Sequence, residues 1–201
     1  MENLLKIMDE NFVLVHKILD NKELNLDDDY NKINFTYYNM FCTHYESFFI
    51  LIQNNHFSSA ILLLRTMLEL YVKSYYLEFI ERKNNTSILD LLENKKKFPN
   101  FFEMVKKLEE YTDISGATFD GVFKQFTKSE LASYEKFSLF SHGKGEYLKA
   151  SFIHNKLSYT EQQLLDVIQT AKGLFETLSL LLFYVQGFHD ELKDIISELQ
   201  K

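Results

Sequence analysis

The apolar residues of this chain recur at spacings of three and four positions along nearly its whole length, which is the period of helices buried on one face. No stretch alternates apolar and polar residues over the length of a β-strand. One proline and six glycines among 201 residues leave few positions that would interrupt a helix. We therefore predict an all-α helical bundle, a single domain over residues 1–201 with about five long helices and two or three short ones.

Capping and turn residues place the helices more closely. A helix start is favoured at Asp27-Asp28-Asp29. A tight turn between antiparallel helices is expected at Asn54-Asn55-His56. The pattern of a capping box occurs twice, at Thr127-Lys128-Ser129-Glu130 and at Ser158-Tyr159-Thr160-Glu161. Thr112 to Gly121 is the most turn-rich stretch, and we expect a mobile loop there. The predicted helices cover about residues 2–21, 30–53, 58–82, 87–94, 101–111, 127–142, 158–185 and 188–199.

Composition and charge exclude several classes of protein. Hydrophobic residues make up 46% of the chain, which is enough for a core and excludes a disordered protein. The formal net charge of −7 disfavours non-specific electrostatic binding to nucleic acid over a broad surface. No apolar run reaches the roughly 18 residues of a membrane span, and the N-terminus lacks the pattern of a signal peptide. With Cys42 as the one cysteine, we expect a cytoplasmic protein without disulfides and without a membrane partner.

The sequence lacks the known motifs of metal and nucleophilic sites. HExxH, CxxC, paired ExxH, GxSxG and the glycines of a dinucleotide-binding fold are all absent, so we expect neither a metal nor a cofactor. Cys42 lies among aromatic residues, where burial should make its thiol inert. The acidic triplet at residues 27–29 lacks the glycine and closing glutamate of a calcium loop.

The most informative stretch runs from Ser58 to Tyr71. Ser58 and Ser59 can cap a helix, and the residues after them are apolar on nearly all sides, so this helix should lie at the centre of the bundle. Arg65 and Glu69 interrupt it four positions apart, which places them on one face, one turn apart. Because charges within an apolar helix need partners, we expect a partly buried ion pair.

A second polar face is expected further along the chain. Tyr134, Ser138 and His142 follow one another at intervals of four, so they share one face of a helix that ends at the glycine after His142. If the two helices pack together, Arg65 and Glu69 meet this face. The candidate site therefore combines an arginine, a carboxylate, a hydroxyl and an imidazole.

These two motifs resemble a group of bacterial all-helical proteins of unknown function, which carry an RxxLE helix and a YxxLSxxxH helix. The group is similar in outline to the HEPN superfamily, helical bundles found in ribonucleases of toxin–antitoxin, CRISPR and abortive-infection systems. HEPN ribonucleases carry an Arg-x4–6-His motif, usually completed across a dimer. Here Lys136-x5-His142 has the matching spacing, and lysine lacks the planar two-point grip of arginine on phosphate. The matching residues are Arg65, Leu68 and Glu69, then Tyr134, Phe137, Ser138 and His142, with Phe137 in place of leucine.

The resemblance implies a HEPN-like up-and-down core and a homodimer that serves a bacterial defence or stress system. It also implies a metal-independent ribonuclease site, with RNA or a nucleotide as partner. His142 would act as general acid or base on the 2′-hydroxyl, because an imidazole ordinarily titrates near neutral pH. Arg65 or Lys136 would stabilise the charge of the phosphorane, and Glu69 would orient Arg65.

The alternative interpretation is structural. Arg65, Glu69, Ser138 and His142 can equally form a buried polar network that fixes the register of the helices. The protein would then be a non-catalytic interaction module whose aromatic surface binds a protein partner. The net charge of −7 favours this second interpretation, whereas a histidine at a helix end favours the first.

Overall fold

The structure, a computed structural model, describes residues 1–128, 148–149, 152–153 and 159–199. Within these ranges the chain is helical without a strand, so the prediction of an all-α fold is confirmed. None of the described helices is both long and apolar enough to cross a membrane. The elements are α1 (Glu2–Leu19), α2 (Asp29–Gln53), α3 (Phe57–Tyr76), a π-helical turn (Leu77–Glu81), α4 (Ile88–Leu92), α5 (Phe101–Glu109), α6 (Gln125–Lys128), α7 (Glu161–Val185) and α8 (His189–Leu199).

Helices α2 and α3 form an antiparallel hairpin, as the sequence predicts. Asp28 caps α2, because its side chain accepts a hydrogen bond from the backbone N–H of Asn31. The turn between the helices places Asn55 at a φ of 59°, a left-handed conformation that asparagine tolerates better than most residues. The acidic triplet at residues 27–29 thus belongs to a helix start, as expected.

Helix α3 lies at the centre of the bundle, which confirms the prediction from its apolar surface. It packs against α2, α5 and α7, and Leu64, Met67 and Leu68 are completely buried. The predicted helix of residues 58–82 is not regular to its end, because the last residues form the π-helical turn. There the backbone N–H of Arg82 bonds to the carbonyl of Leu77 at 2.9 Å.

Aromatic rings fill the space where α1, α2 and α7 meet. Phe175 of α7 is completely buried, and its ring centroid lies 4.6 Å from that of Tyr45 and 5.4 Å from that of Phe12. Pairs at such distances add to the stability gained from burial alone. Helix α1 presents Leu5, Met8, Val15 and Leu19 to the core and packs mainly against α7 and α8.

Two helix starts differ from the sequence-based prediction. Helix α3 begins after His56, which makes no side-chain capping bond, so neither Ser58 nor Ser59 caps it. Helix α7 is capped by Thr160, whose hydroxyl accepts from the backbone of Gln163 while the Gln163 side chain accepts from the backbone of Thr160. The capping box therefore starts two residues later than predicted, since glutamine serves at its fourth position as well as glutamate does.

The shorter helices begin at the residues that cap them. Ser87 caps α4, which lies within the helix predicted at residues 87–94, and Asn100 forms a capping box with Glu103 at the start of α5. The turn at Gly187, with a φ of 75°, separates α7 from α8 as expected. The loop at residues 112–121 is bridged between Thr112 and Thr118. Thr127, the predicted cap of the helix at residues 127–142, instead lies within α6, and its hydroxyl donates to the backbone carbonyl of Lys124 at 2.7 Å. The rest of that predicted helix lies outside the described residues.

The aromatic centre of the core gives a direct test of this packing. Phe175→Ala should lower the free energy of unfolding by about 3–5 kcal/mol, because it removes a buried ring and leaves a cavity. Urea unfolding followed by circular dichroism measures the change. Phe152→Ala is the matched control, since that residue is 87% exposed, and it should cost less than about 0.5 kcal/mol. Equal losses for both variants would contradict the described core.

Candidate functional site

Arg65 and Glu69 form the predicted ion pair on α3. Arg65 Nε lies 3.5 Å from Glu69 Oε1, and the two side chains are 20% and 33% exposed. The pair is thus partly buried, as expected from its position in an apolar helix. Its two members are one turn apart, so α3 alone fixes their relative position.

Ser58, at the start of the same helix, has a different role from the one predicted. Its hydroxyl lies 2.8 Å from the hydroxyl of Tyr159, which precedes α7. This hydrogen bond ties the start of α3 to the start of α7. The side chain therefore joins two helices rather than capping one.

The other predicted site residues lie outside the described residues. These are Lys136, Ser138 and His142, together with Tyr134 on the same predicted face. Their meeting with Arg65 and Glu69 therefore stays a prediction.

A polar cluster that the sequence did not reveal joins the end of α3 to the start of α2. The guanidinium of Arg82 donates to Asp28 Oδ1 at 3.0 Å and to Asn31 Oδ1 at 2.6 Å, and its Nε lies 3.0 Å from Glu78 Oε2. It also lies over the ring of Tyr30, 4.9 Å from the centroid. Burial raises the pKa of Glu78, and the charge of Arg82 opposes that rise.

Glu81 extends this cluster towards α4. Its side chain is almost completely buried and accepts hydrogen bonds from the hydroxyl of Thr86 and from Lys96 Nζ. Burial raises the pKa of this carboxyl, but the two hydrogen bonds outweigh burial and bring the pKa below its ordinary value. The single O–H of Tyr30 lies within hydrogen-bond distance of two backbone carbonyl oxygens, that of Glu81 at 2.8 Å and that of Thr86 at 2.6 Å. The cluster thus holds α2, the π-helical turn and the α4 segment together.

A second buried carboxylate organises the loop after α5. Glu109 accepts from the backbone N–H groups of Gly121, Phe123 and Lys124 at 2.6–2.7 Å, and Lys124 Nζ lies 3.4 Å away. Burial raises the pKa of Glu109, but these donors outweigh it and leave the pKa below its ordinary value. The turn-rich stretch is therefore anchored at its end by a charged group.

Other chemistry is restricted in the described part of the chain. Burial raises the pKa of Cys42 to about 12, so its thiol stays protonated at neutral pH, in agreement with the expected inertness. Among the residues at 1–128 and 159–199, no group of histidine, cysteine, aspartate or glutamate side chains could hold a metal ion.

Three cavities adjoin α1. One of about 710 Å³ separates α1 from α7, where Glu176 accepts from Asn11 and pairs with Lys172 at 2.6 Å. Two more, of about 630 and 330 Å³, lie between α1 and α2. Neither Arg65 nor Glu69 lines any of these three cavities.

Comparison with known proteins gives one match. A family model, described as a family of unknown function (DUF6988), matches residues 38–201, which leaves out α1 and the first turns of α2. No curated protein and no solved structure matches the chain. The match agrees with the expectation of a family of unknown function, whereas the two motifs and the HEPN-like outline stay predictions.

The buried carboxylate of Glu109 predicts a pH-dependent loss of stability. Glu109→Gln should lower the free energy of unfolding at pH 7 by about 2 kcal/mol, because the variant lacks the charged carboxylate that accepts hydrogen bonds from three backbone N–H groups. The folded pKa is lowered, so this contribution is complete above the unfolded pKa of about 4.3 and is lost as the pH falls through the folded value. The difference in the free energy of unfolding between wild type and variant should therefore become smaller as the pH falls from 6 to about 3.

Urea unfolding at several pH values measures this difference. Glu110→Gln is the matched control, because the neighbouring side chain is 64% exposed. The control should change stability by less than about 0.5 kcal/mol at every pH. A difference in stability between wild type and Glu109→Gln that stays constant down to pH 3 would show that the charge of the Glu109 carboxylate does not stabilise the fold.

Proposed function

We propose that this chain, which belongs to the DUF6988 family of unknown function, is a HEPN-like cytoplasmic protein of a bacterial defence or stress system. Its Arg65–Glu69 pair would form part of a metal-independent ribonuclease site with His142. The observation that carries the proposal is the partly buried ion pair of Arg65 and Glu69 on the central helix. The resemblance to HEPN proteins supports a homodimer in which two chains complete the site.

The position of Arg65 suits it to the stabilisation of a phosphate charge. Glu69 holds the guanidinium on a rigid helix, so little reorganisation is needed when charge develops on a substrate. The side chain is 20% exposed, which leaves part of it accessible while water is largely excluded. Both conditions strengthen an interaction between a cation and a phosphorane.

The proposed reaction is a transesterification within RNA. His142 takes the proton of the 2′-hydroxyl, the 2′ oxygen attacks the adjacent phosphorus, and the bond from phosphorus to the 5′ oxygen breaks. The leaving oxygen takes up a proton from an acid, and Arg65 or Lys136 stabilises the negative charge of the phosphorane. The products are a 2′,3′-cyclic phosphate and a 5′-hydroxyl, without a metal ion.

A second candidate function is that of a non-catalytic protein-interaction module. Two observations favour it: the net charge of −7, and the exposure of Val13 and Ile50, each 57% exposed on neighbouring helices. In this case the polar groups of Arg65 and Glu69 fix the register of the helices and touch no substrate.

Cleavage of RNA in the presence of EDTA tests the ribonuclease proposal. The wild type should yield fragments that end in 2′,3′-cyclic phosphate, and His142→Ala should slow cleavage by at least about 100-fold. Arg65→Lys should slow it as well, because lysine lacks the planar donors of arginine. Circular dichroism checks the fold of each variant.

His189→Ala is the matched control, since His189 is an exposed histidine at the start of α8. It should cleave at the rate of the wild type. Full activity in a folded His142→Ala variant would exclude the assigned role, as would the absence of cleavage by wild type on RNAs of several sequences.

A further inference from the structure

An open groove separates α1 from α2. Two adjoining cavities of about 630 and 330 Å³ form it, and both are lined by Asp9 and Phe49. Because α1 packs mainly against α7 and α8, its side towards α2 is incompletely covered. We refer to these two cavities together as the α1–α2 groove.

The groove has an apolar floor that reaches the surface. Val13 of α1 and Ile50 of α2 line the same cavity, and each is 57% exposed. The rings of Phe12 and Phe49 line it as well and are half-buried. Single exposed apolar side chains are common, but a concave group of four is typical of an interaction site.

A buried hydroxyl without a partner lies at this groove. Tyr45 lines the cavity and is 2% exposed, yet among the described residues its hydroxyl makes no hydrogen bond. Burial raises the pKa of Tyr45, and the carboxylates of Glu176 and Asp9 raise it further, so the hydroxyl keeps its proton. The hydroxyl itself is sealed from solvent, so Tyr45 contributes its ring to the wall of the groove rather than a donor to an occupant.

The charged residues of the groove favour an occupant with positive charge. Glu2, Asp9 and Glu46 line it, against two cationic groups, Lys6 and the amino group of Met1, which leaves the groove with a net negative charge. A second copy of this chain would bring the same carboxylates together, at the cost of like-charge repulsion. A basic occupant gains attraction from the same groups.

The length of the groove fits a short helix. Its lining residues on α1 run from Met1 to Val13, a distance of about 18 Å at 1.5 Å per residue. That distance equals about three helical turns. Helices of this kind bind apolar grooves through side chains at spacings of three and four.

We propose that the α1–α2 groove binds a basic amphipathic helix of a partner protein. The apolar side chains of that helix contact Val13, Phe49 and Ile50, and its lysines or arginines pair with Asp9 and Glu46. The inference rests on the second candidate function, in which the chain binds a protein, and it does not depend on ribonuclease activity.

Fluorescence anisotropy with a labelled amphipathic peptide of about 14 leucines and lysines tests the groove. The peptide should bind the wild type, and Ile50→Gln should raise its Kd by at least about fivefold. Leu89→Gln is the matched control, because Leu89 is 58% exposed on α4 and lies outside the groove. That control should change the Kd by less than about twofold.

A second pair of variants tests the charge. Glu46→Gln should weaken binding, whereas Asp194→Asn, an equal change at an exposed site on α8, should not. A peptide with glutamate in place of lysine should not bind. Equal effects of groove and control variants, or no binding by the basic peptide, would overturn the proposal.

Photo-crosslinking in the producing cells tests the class of occupant. A photoreactive residue in place of Ile50 should capture a basic amphipathic segment of another protein, and the same residue at Leu89 should not. Capture of a second copy of this chain would overturn the assignment. Peptide binding and RNA cleavage are separate measurements, so failure of the groove to bind the basic peptide overturns this proposal and leaves the ribonuclease proposal to its own test.

Discussion

The burial of α3 is the constraint on which the rest of the structure depends. Helices α2, α5 and α7 all pack against it, and Ala60, Leu64 and Met67 are completely buried. Each large side chain buried in this way contributes about 1.5–3 kcal/mol. Arg65 and Glu69 share this helix, so they have little access to water and pair with each other. The candidate site is therefore part of the element that holds the core together.

Polar contacts close both ends of the α2–α3 hairpin. The left-handed turn at Asn55 closes one end, and the bonds of Arg82 to Asp28 and Asn31 close the other. Because the hairpin is held at both ends, the face that carries Arg65 and Glu69 has a fixed position. Neither Arg65 nor Glu69 lines the α1–α2 groove. A catalytic and a binding role can therefore be separated by mutation.

The sequence predicts the features that depend on local spacing. Most helix ranges in the described part of the chain, the Asn55 turn and the Arg65–Glu69 pair follow from residues within a turn or two of each other. The contact of Arg82 with Asp28 was missed because it joins positions 54 apart, although the Glu78–Arg82 spacing of four was visible. The role of the buried Glu109 was missed for a different reason. Its partners are backbone N–H groups, which leave no pattern in a sequence.

The proposed function requires the ion pair of α3 to act on a substrate and not only on the fold. RNA cleavage by the double variant Arg65→Met and Glu69→Leu tests it most directly, because apolar side chains of similar size can replace a buried ion pair with little loss of stability. We expect the double variant to be folded, by circular dichroism and urea unfolding, and to cleave RNA at least about 100-fold more slowly than the wild type. A folded double variant that cleaves RNA at the wild-type rate would contradict the proposed function.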